Sequence, residues 1–400
     1  MTVRNGREFL SIPGPTTVPD EVLNAMHRPA IDIYTGPLEE ITMSCLDDLR
    51  TVFRTRGRTY IYAANGHGAW EAALVNVFSR GDKVLVLESG RFALGWGEMA
   101  GVLGIEVEVL PRDSRRAVDA TAVEARLRDD RNGEIKAVMV VQVDTASGVV
   151  NHIPDIRAAM NAAGHPALLM VDTIASLATM PFEMDAWGVD VTVAAAQKGL
   201  MTPPGLGFVA AGEKAVKAHA DAGLRTRYWD WTAREGERHY HKYCGTPPEH
   251  LVFGLRKALD MLLEEGFEAV FRRHHLLAEA VRRAVGVWSQ GGILELNIPE
   301  PAERSDAVTT IRLNDGHDPQ PLLDFCREHC GVVLGCGIGD LADSGFRIAH
   351  MGHVNAPMIL GTLGAVEIGL VALGIPHGKG GVQAAIDWLG RSLKTESGHG

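Results

Sequence analysis

Seven short apolar runs recur between residues 60 and 210, and segments long enough to form helices separate them. They occupy residues 60–62, 83–87, 105–110, 137–141, 167–172, 189–194 and 207–210. The runs are rich in valine and isoleucine and lack the polar alternation of a sheet with one face in water, which predicts strands buried on both faces. Such strands alternating with helices predict an α/β chain with a large, mainly parallel sheet.

The alternation of short strands and helices ends near residue 249. Helical patterns at 20–29 and 37–54 precede the strands, whereas a long helical stretch over 249–286 follows them. Short strands at 307–313, 331–334 and 346–350 and a helix at 357–373 then predict a smaller α+β unit. We therefore expect an N-terminal arm over residues 1–20, a large domain over 21–265 and a small C-terminal domain over 266–400.

Charge and cysteine content exclude several classes of protein. The formal net charge of −11 disfavours nucleic acid or an anionic membrane surface as the main partner. Five cysteines are too few to cross-link 400 residues, and no apolar run is long enough to span a bilayer or to resemble a signal peptide. The sequence predicts a soluble, cytoplasmic protein. The cysteines are Cys45, Cys244, Cys326, Cys330 and Cys336.

An acid and a lysine follow two successive strands. Asp172 closes the strand at 167–172, and Lys198 comes just after the strand at 189–194. Both would lie at the carboxyl edge of a parallel sheet, where α/β folds bind ligands. Pyridoxal phosphate requires this pair, because the lysine forms a Schiff base with its aldehyde and the carboxylate keeps its ring nitrogen protonated. A helix cap and a solvated lysine would be the structural alternative.

Three more turns end at the same predicted edge. Asn65-Gly66-His67-Gly68 opens a helix whose backbone N–H groups could hold a phosphate. Phe92 follows the next strand and could stack on a flat ring, and Thr145 lies in a polar turn after a third. Each turn alone is also compatible with ordinary packing, so the prediction depends on the set.

Together these residues resemble the class V aminotransferases of fold-type I, in particular the alanine–glyoxylate and serine–glyoxylate branch. The resemblance extends over essentially the whole chain. Its motifs are Pro13-Gly14-Pro15-Thr16, residues 66–73, the Asp172 strand, Gln197-Lys198, Pro203-Pro204-Gly205, residues 243–248 and Arg347-Ile348. It implies transfer of an amino group from serine, alanine or aspartate to a small 2-oxo acid, with glyoxylate favoured.

The resemblance also implies a role for individual residues. Lys198 and Asp172 would be catalytic, and Arg347 would bind the substrate carboxylate together with the Gly14 loop, with Tyr34 beside the donor side chain. Tyr243 and Thr246 would reach the phosphate of the neighbouring subunit, which implies a homodimer with shared active sites. The residues implied to contact the cofactor are Asn65, Gly66, His67, Phe92, Thr145, Asp172, Ile174, Gln197, Lys198, Tyr243 and Thr246.

Two departures from the family pattern leave the substrate open. Ala196 stands where relatives often have serine, and Ile33-Tyr34-Thr35 replaces a His-Arg-Ser triplet found in many serine– and aspartate–glyoxylate enzymes. Pyruvate as acceptor with an unusual donor such as pyridoxamine or ureidoglycine is therefore an alternative. A cysteine desulfurase of the same fold is another, with Cys336 as its nucleophile. Cys326 and Cys330 lack a second ligand pair, so we expect no metal site.

Overall fold

A computed structural model describes residues 2–113, 115–314 and 316–394 of the chain. The strands are β1 (Phe9–Ser11), β2 (Arg58–Ala63), β3 (Lys83–Leu87), β4 (Glu106–Leu110), β5 (Ile135–Val141), β6 (Val143–Asp144), β7 (Val149–Val150), β8 (Leu168–Asp172), β9 (Val191–Ala195), β10 (Leu206–Ala211), β11 (Leu294–Leu296), β12 (Val308–Leu313), β13 (Val332–Cys336) and β14 (Gly345–Ala349). The α-helices are α1 (Asp20–Met26), α2 (Pro37–Phe53), α3 (Gly66–Val77), α4 (Arg91–Val102), α5 (Ala120–Asp129), α6 (Ile153–Ala162), α7 (Glu213–Asp221), α8 (Trp231–Arg234), α9 (Glu249–Glu265), α10 (Phe267–Trp288), α11 (Gln320–Phe325), α12 (Ala356–Ala372) and α13 (Gly381–Lys394).

The large domain is built on the predicted sheet. Its seven strands lie in the order β2-β10-β9-β8-β5-β3-β4, and β10 is antiparallel to both of its neighbours while the other pairs are parallel. Helices cover both faces: in β8, Leu169 and Val171 belong to one hydrophobic core, while Leu168 and Met170 belong to the core on the opposite face. The expectation of a large, mainly parallel sheet is confirmed.

The prediction of burial on both faces is wrong for β4. This strand forms the edge of the sheet, and Val107 and Val109 are 36% and 41% exposed. Glu108 points its carboxylate at Lys83, with Nζ 2.9 Å away, and also pairs with Arg126. An edge strand has a neighbour on one side only, and the charged residues on β4 discourage pairing with another chain.

The small unit contains a five-stranded sheet in the order β1-β13-β14-β12-β11. The N-terminal arm contributes β1, whose Phe9 pairs with Val332 in a parallel arrangement. The long helical stretch divides at Gly266, whose φ of 82° favours glycine, into α9 and α10. This break, together with a separate hydrophobic core that begins at Leu277, supports the proposed boundary near residue 265.

The first helix is shorter than the expected span of 20–29. It ends at Met26, and His27 already leaves the helical conformation with ψ of 76°. Pro29 follows two residues later, and a proline disfavours helical geometry at the residue before it. Among the described residues, no helix combines the length and the apolar character needed to cross a bilayer.

Candidate active site

A cavity of about 680 Å³ opens where the carboxyl ends of β5, β8 and β9 face the small unit. The lining includes predicted residues from both units and from the N-terminal arm. The predicted residues that line it are Gly14, Asn65, Gly66, His67, Phe92, Thr145, Asp172, Ile174, Gln197, Lys198 and Arg347. The structure thus brings together groups that lie far apart in the chain.

Lys198 lies three residues beyond the end of β9, in a tight turn. Its Nζ donates a hydrogen bond to the carbonyl oxygen of Pro13. Burial, together with a smaller effect of the positive charge of Arg347, lowers the pKa of the Lys198 amine to about 8, and Asp172 opposes this shift. About one tenth of such an amine is neutral at pH 7, so the site prepares Lys198 to act as a nucleophile or a base.

The N-terminal arm clamps the lysine segment. Thr16 donates its backbone N–H to the Gln197 carbonyl at 3.1 Å and its hydroxyl to the Lys198 carbonyl at 3.1 Å. Gly14 has φ of 96°, and a Cβ there would lie 2.6 Å from Lys198 Cε and Nζ. Glycine is therefore required at position 14 for two reasons, backbone conformation and contact with the lysine.

Asp172 ends β8 with its carboxylate almost fully buried. One oxygen accepts the indole N–H of Trp70 at 2.7 Å, and the other accepts the backbone N–H of Ile174 at 2.6 Å. Burial is the main reason why the pKa of Asp172 is raised to about 7, and the negative charge of Asp144 contributes to the rise. The two hydrogen bonds and the positive charge of Lys198 oppose it. A bound cation beside this carboxyl would favour its ionised form.

An aromatic wall lies next to Asp172. The Trp70 ring lies 4.6 Å from the His67 ring and 6.4 Å from the Phe92 ring, measured between centroids. All three residues line the cavity. Sequence reasoning placed His67 and Phe92 in the site but missed Trp70, although its position on α3, one turn after His67, puts both residues on one helical face.

The N-terminus of α3 differs from the expected phosphate cradle. The Asn65 side chain caps the helix, and its Oδ1 accepts the backbone N–H groups of His67 at 3.1 Å and Gly68 at 3.3 Å. In this structure the Asn65 side chain accepts these two N–H groups, because asparagine is a strong helix N-cap, and a phosphate at this turn stays a prediction. A Cβ at Gly66 would lie 2.6 Å from Ile174 Cδ1, so a larger residue there would have to displace the end of that side chain.

Arg347 lies in β14, is 7% exposed and lines the cavity. Its Nε donates to the Cys336 carbonyl at 2.7 Å and its Nη1 donates to the Thr145 carbonyl at 3.1 Å. Burial lowers the pKa of its guanidinium, and the charge of Asp144 opposes that shift. Among the described residues its printed bonds go to carbonyl oxygens and none to a carboxylate, and a buried cation without a directly bonded anion is costly. A substrate carboxylate is therefore the expected partner.

The cavity fits the cofactor that the sequence implies. Gln197 Oε1 is buried and has no hydrogen-bond partner among the described residues. The Lys198 amine is a covalent attachment point, the buried Asp172 carboxyl is a partner for a ring nitrogen, and Gln197 Oε1 is a free polar acceptor. All three residues line one cavity of adequate size. In the described part of the chain, no group of three or more His, Cys, Asp or Glu side chains could hold a metal ion.

Three predicted residues lie outside this cavity. Tyr34 is 65% exposed, and its ring meets Tyr240 edge to face at 5.9 Å. His239 Nδ1 lies 2.9 Å from the Ile33 carbonyl oxygen and joins this loop to residues 239–243. Within one chain Tyr34 therefore lies away from the cavity, and its role beside the donor side chain stays a prediction. Thr246 is exposed. The Tyr243 hydroxyl is not free for a neighbouring subunit, since it is buried and bonded to Thr42 Oγ1 at 2.9 Å.

Comparison with known proteins identifies the same architecture. The family model "Aminotransferase class-V" matches residues 9–339. The chain is 39% identical over 395 residues to a serine–glyoxylate aminotransferase of Methylorubrum extorquens, covering 97% of each chain. It is 36% identical over 376 residues to an L-aspartate–glyoxylate aminotransferase of Paracoccus denitrificans, covering 94% of each. The crystal structure of a pyridoxamine–pyruvate aminotransferase from Mesorhizobium loti superimposes with a TM-score of 0.88 and 27% identity, covering 98% of this chain and 100% of the other.

The fold and the site therefore define a transferase of fold-type I, which confirms the expected fold class. The chain belongs to the class V aminotransferases. The family implies pyridoxal phosphate as cofactor and an amino acid and an oxo acid as substrates.

Proposed function

We propose that the protein transfers the amino group of serine, aspartate or alanine to glyoxylate, with pyridoxal phosphate attached to Lys198. The central observation is that Lys198, Asp172 and the unpaired Arg347 meet in one cavity. The named activities of the Methylorubrum and Paracoccus relatives support glyoxylate as the acceptor. The Mesorhizobium enzyme supports the alternative, pyruvate with pyridoxamine as donor.

The cofactor, when bound, supplies an electrophilic carbon and an electron-accepting ring. Lys198 would bind that carbon and, once displaced by the donor amine, would take the proton from the substrate Cα as a neutral amine. Asp172 would hold the ring nitrogen, and Phe92 and Ile174 would contact the ring. Gln197 and Thr145 would donate or accept hydrogen bonds at its polar substituents. Arg347 would orient the substrate carboxylate for both halves of the reaction.

The substrate assignment is tested with a matrix of donors and acceptors. We expect glycine to form from glyoxylate when at least one of serine, aspartate and alanine is the donor. The rate of this reaction should exceed the rate at which alanine forms from pyruvate with pyridoxamine as donor. L-cysteine supplied with a thiol reductant and without an oxo acid separates the desulfurase alternative, which would form alanine, pass the sulfur to Cys336 as a persulfide and release it as sulfide to the reductant. Sulfur release at a rate above that of glycine formation would contradict the proposal.

Arg347→Lys should reduce kcat/KM for the amino donor and for glyoxylate by roughly tenfold or more. Lysine keeps the charge but loses the fork that makes two parallel hydrogen bonds to a carboxylate, and one charged hydrogen bond contributes about 1.5–3 kcal/mol. Steady-state kinetics with each substrate varied would measure the loss. Cofactor absorbance should remain. Unchanged efficiency toward both substrates would show that another group binds the carboxylate.

We further propose a homodimer in which Thr246 of one subunit contacts the cofactor phosphate of the other. Thr246 is exposed and lies outside the cavity of its own subunit, and both observations support this arrangement. Thr246→Asp should impair activity by placing a negative charge beside the phosphate. Mixing inactive Lys198→Ala subunits with Thr246→Asp subunits should restore activity through heterodimers with one intact site.

Mass spectrometry of the intact assembly would verify that subunits exchange. If heterodimers form and activity stays absent, Thr246 acts within its own subunit or not at all. The separate variants, assayed before mixing, provide the baseline.

A further inference from the structure

Asp144 lies at the end of β6, is fully buried and does not line the cavity. We propose that Asp144 is a positioning residue whose single carboxylate fixes Phe92, Thr145 and, through Thr145, Arg347 in their working arrangement. This inference rests on the proposed function, because it concerns residues assigned there to cofactor and substrate.

The carboxylate caps a helix to which it does not belong. Asp144 Oδ2 accepts the backbone N–H groups of Phe92 at 3.0 Å and Ala93 at 3.1 Å, in the first turn of α4. The N-cap position of α4 is Gly90, which has no side chain to satisfy these donors. A negative charge at a helix N-terminus is favourable, and a side chain that accepts these N–H groups stabilises the first turn. Asp144 therefore determines where α4 begins and where Phe92 stands.

Gly90 makes the approach possible. A Cβ at this position would lie 2.5 Å from both Cγ and Oδ1 of Asp144. No side chain larger than hydrogen fits between the carboxylate and the helix end without moving one of them. This contact thus explains the glycine of the Ser89-Gly90-Arg91 turn.

The other oxygen holds the turn that contains Thr145. Asp144 Oδ1 accepts the backbone N–H of Ala146 at 3.0 Å, and the Asp144 carbonyl accepts the N–H of Gly148 at 2.8 Å. Thr145 is fixed between these two anchors, and its carbonyl oxygen accepts Nη1 of Arg347. The substrate-binding arginine of the small unit is therefore oriented by a turn that Asp144 maintains in the large domain.

A nearby arginine supports the buried charge. Arg112 has a side chain only 7% exposed, and its Nη1 has no hydrogen-bond partner among the described residues. Burial raises the pKa of Asp144, whereas the three backbone N–H groups and Arg112 lower it. Both carboxylate oxygens accept hydrogen bonds, as expected for the ionised form.

The test compares Asp144→Asn with Asp119→Ala, which removes a helix cap elsewhere in the large domain. Asparagine keeps the shape but leaves one acceptor oxygen where the carboxylate has two. Asp119 is an exposed N-cap that accepts Thr121 N–H at 2.8 Å on α5, and it does not line the cavity, so it controls for the loss of a helix cap.

Three measurements separate positioning from simple stabilisation. In cofactor-free protein, Asp144→Asn should speed amide hydrogen exchange at Phe92, Ala93 or Ala146 by roughly tenfold. In the enzyme loaded with cofactor, Asp144→Asn should change the visible circular dichroism of the cofactor. It should also raise KM for glyoxylate by a factor several times larger than the factor by which it lowers kcat, because Arg347 is less well oriented. Asp119→Ala should speed exchange at α5 alone.

Faster exchange at α4 with unchanged circular dichroism and KM would make Asp144 an ordinary cap and would overturn the proposal. If Asp144→Asn does not fold, Gly90→Ala replaces it, because the added Cβ displaces the carboxylate without removing it, and the same three changes are expected. Wild-type protein that does not bind pyridoxal phosphate through Lys198 would refute the proposed function instead, and the exchange data on cofactor-free protein would still be informative.

Discussion

Lys198→Ala should abolish turnover, with a loss of about a thousandfold or more, and should remove the visible absorbance of covalently bound cofactor. The substitution removes both the attachment point and the base that moves the Cα proton, and a positioned base alone contributes up to about 10⁴-fold. Absorption spectra and single-turnover assays after loading with pyridoxal phosphate would measure both effects.

Lys214→Ala is a matched control for Lys198→Ala. Lys214 is also a partly buried lysine bonded to a carbonyl, that of Ala167 at 2.6 Å, but Ala167 lies beside the amino end of β8, at the opposite edge of the sheet. We expect the control to keep absorbance and activity. Near-normal multiple turnover in Lys198→Ala would remove the central assignment.

Asp172→Asn should slow proton abstraction by roughly a hundredfold, because a neutral amide no longer keeps the ring nitrogen protonated. The amide also has only one acceptor oxygen for the two donors, Trp70 and Ile174. Stopped-flow measurement of a single half-reaction would give the rate. Trp70→Phe keeps the carboxylate and should have a smaller effect. An unchanged single-turnover rate in Asp172→Asn would exclude the carboxylate from the mechanism.

The same variant has an expected effect on stability in the absence of cofactor. A carboxyl whose folded pKa is raised, here from 3.8 to about 7, stabilises the fold at low pH and loses that contribution as the pH rises through 7. Asp172→Asn cannot become charged. Its stability relative to the wild type should therefore increase between pH 4 and pH 8, which thermal unfolding of the cofactor-free protein would detect.

Sequence patterns predicted the centre of the site because sheet topology places it. Asp172 and Lys198 follow adjacent parallel strands, and the carboxyl ends of such strands meet at one edge. The positions of Gly14 and Arg347 depended on the family resemblance, since contact between the N-terminal arm, β14 and the large sheet cannot be derived from local periodicity.

Long-range hydrogen bonds were not predictable in this way. Trp70 reaches Asp172 and Asp144 reaches Phe92 across the fold, and neither distance follows from spacing along the chain. The Asn65 cap was overlooked because the glycine-rich turn was interpreted as a site for a ligand, and the Asn65 side chain was not considered as the acceptor of the same N–H groups. The distance of Tyr34 from the cavity was not predictable either, because the course of the loop before α2 depends on its contact with His239, far along the chain.

The pairing of β1 with β13 has a consequence for biosynthesis. Gly14 and Thr16 are synthesised long before β13, the strand that pairs with β1. The arm can therefore take its place in the small sheet, with Thr16 held against the Lys198 segment, only after β13 has been made. A chain that stops before β13 is expected to hold this lysine loosely, so firm capture of an aldehyde depends on the small unit as well as on the large domain.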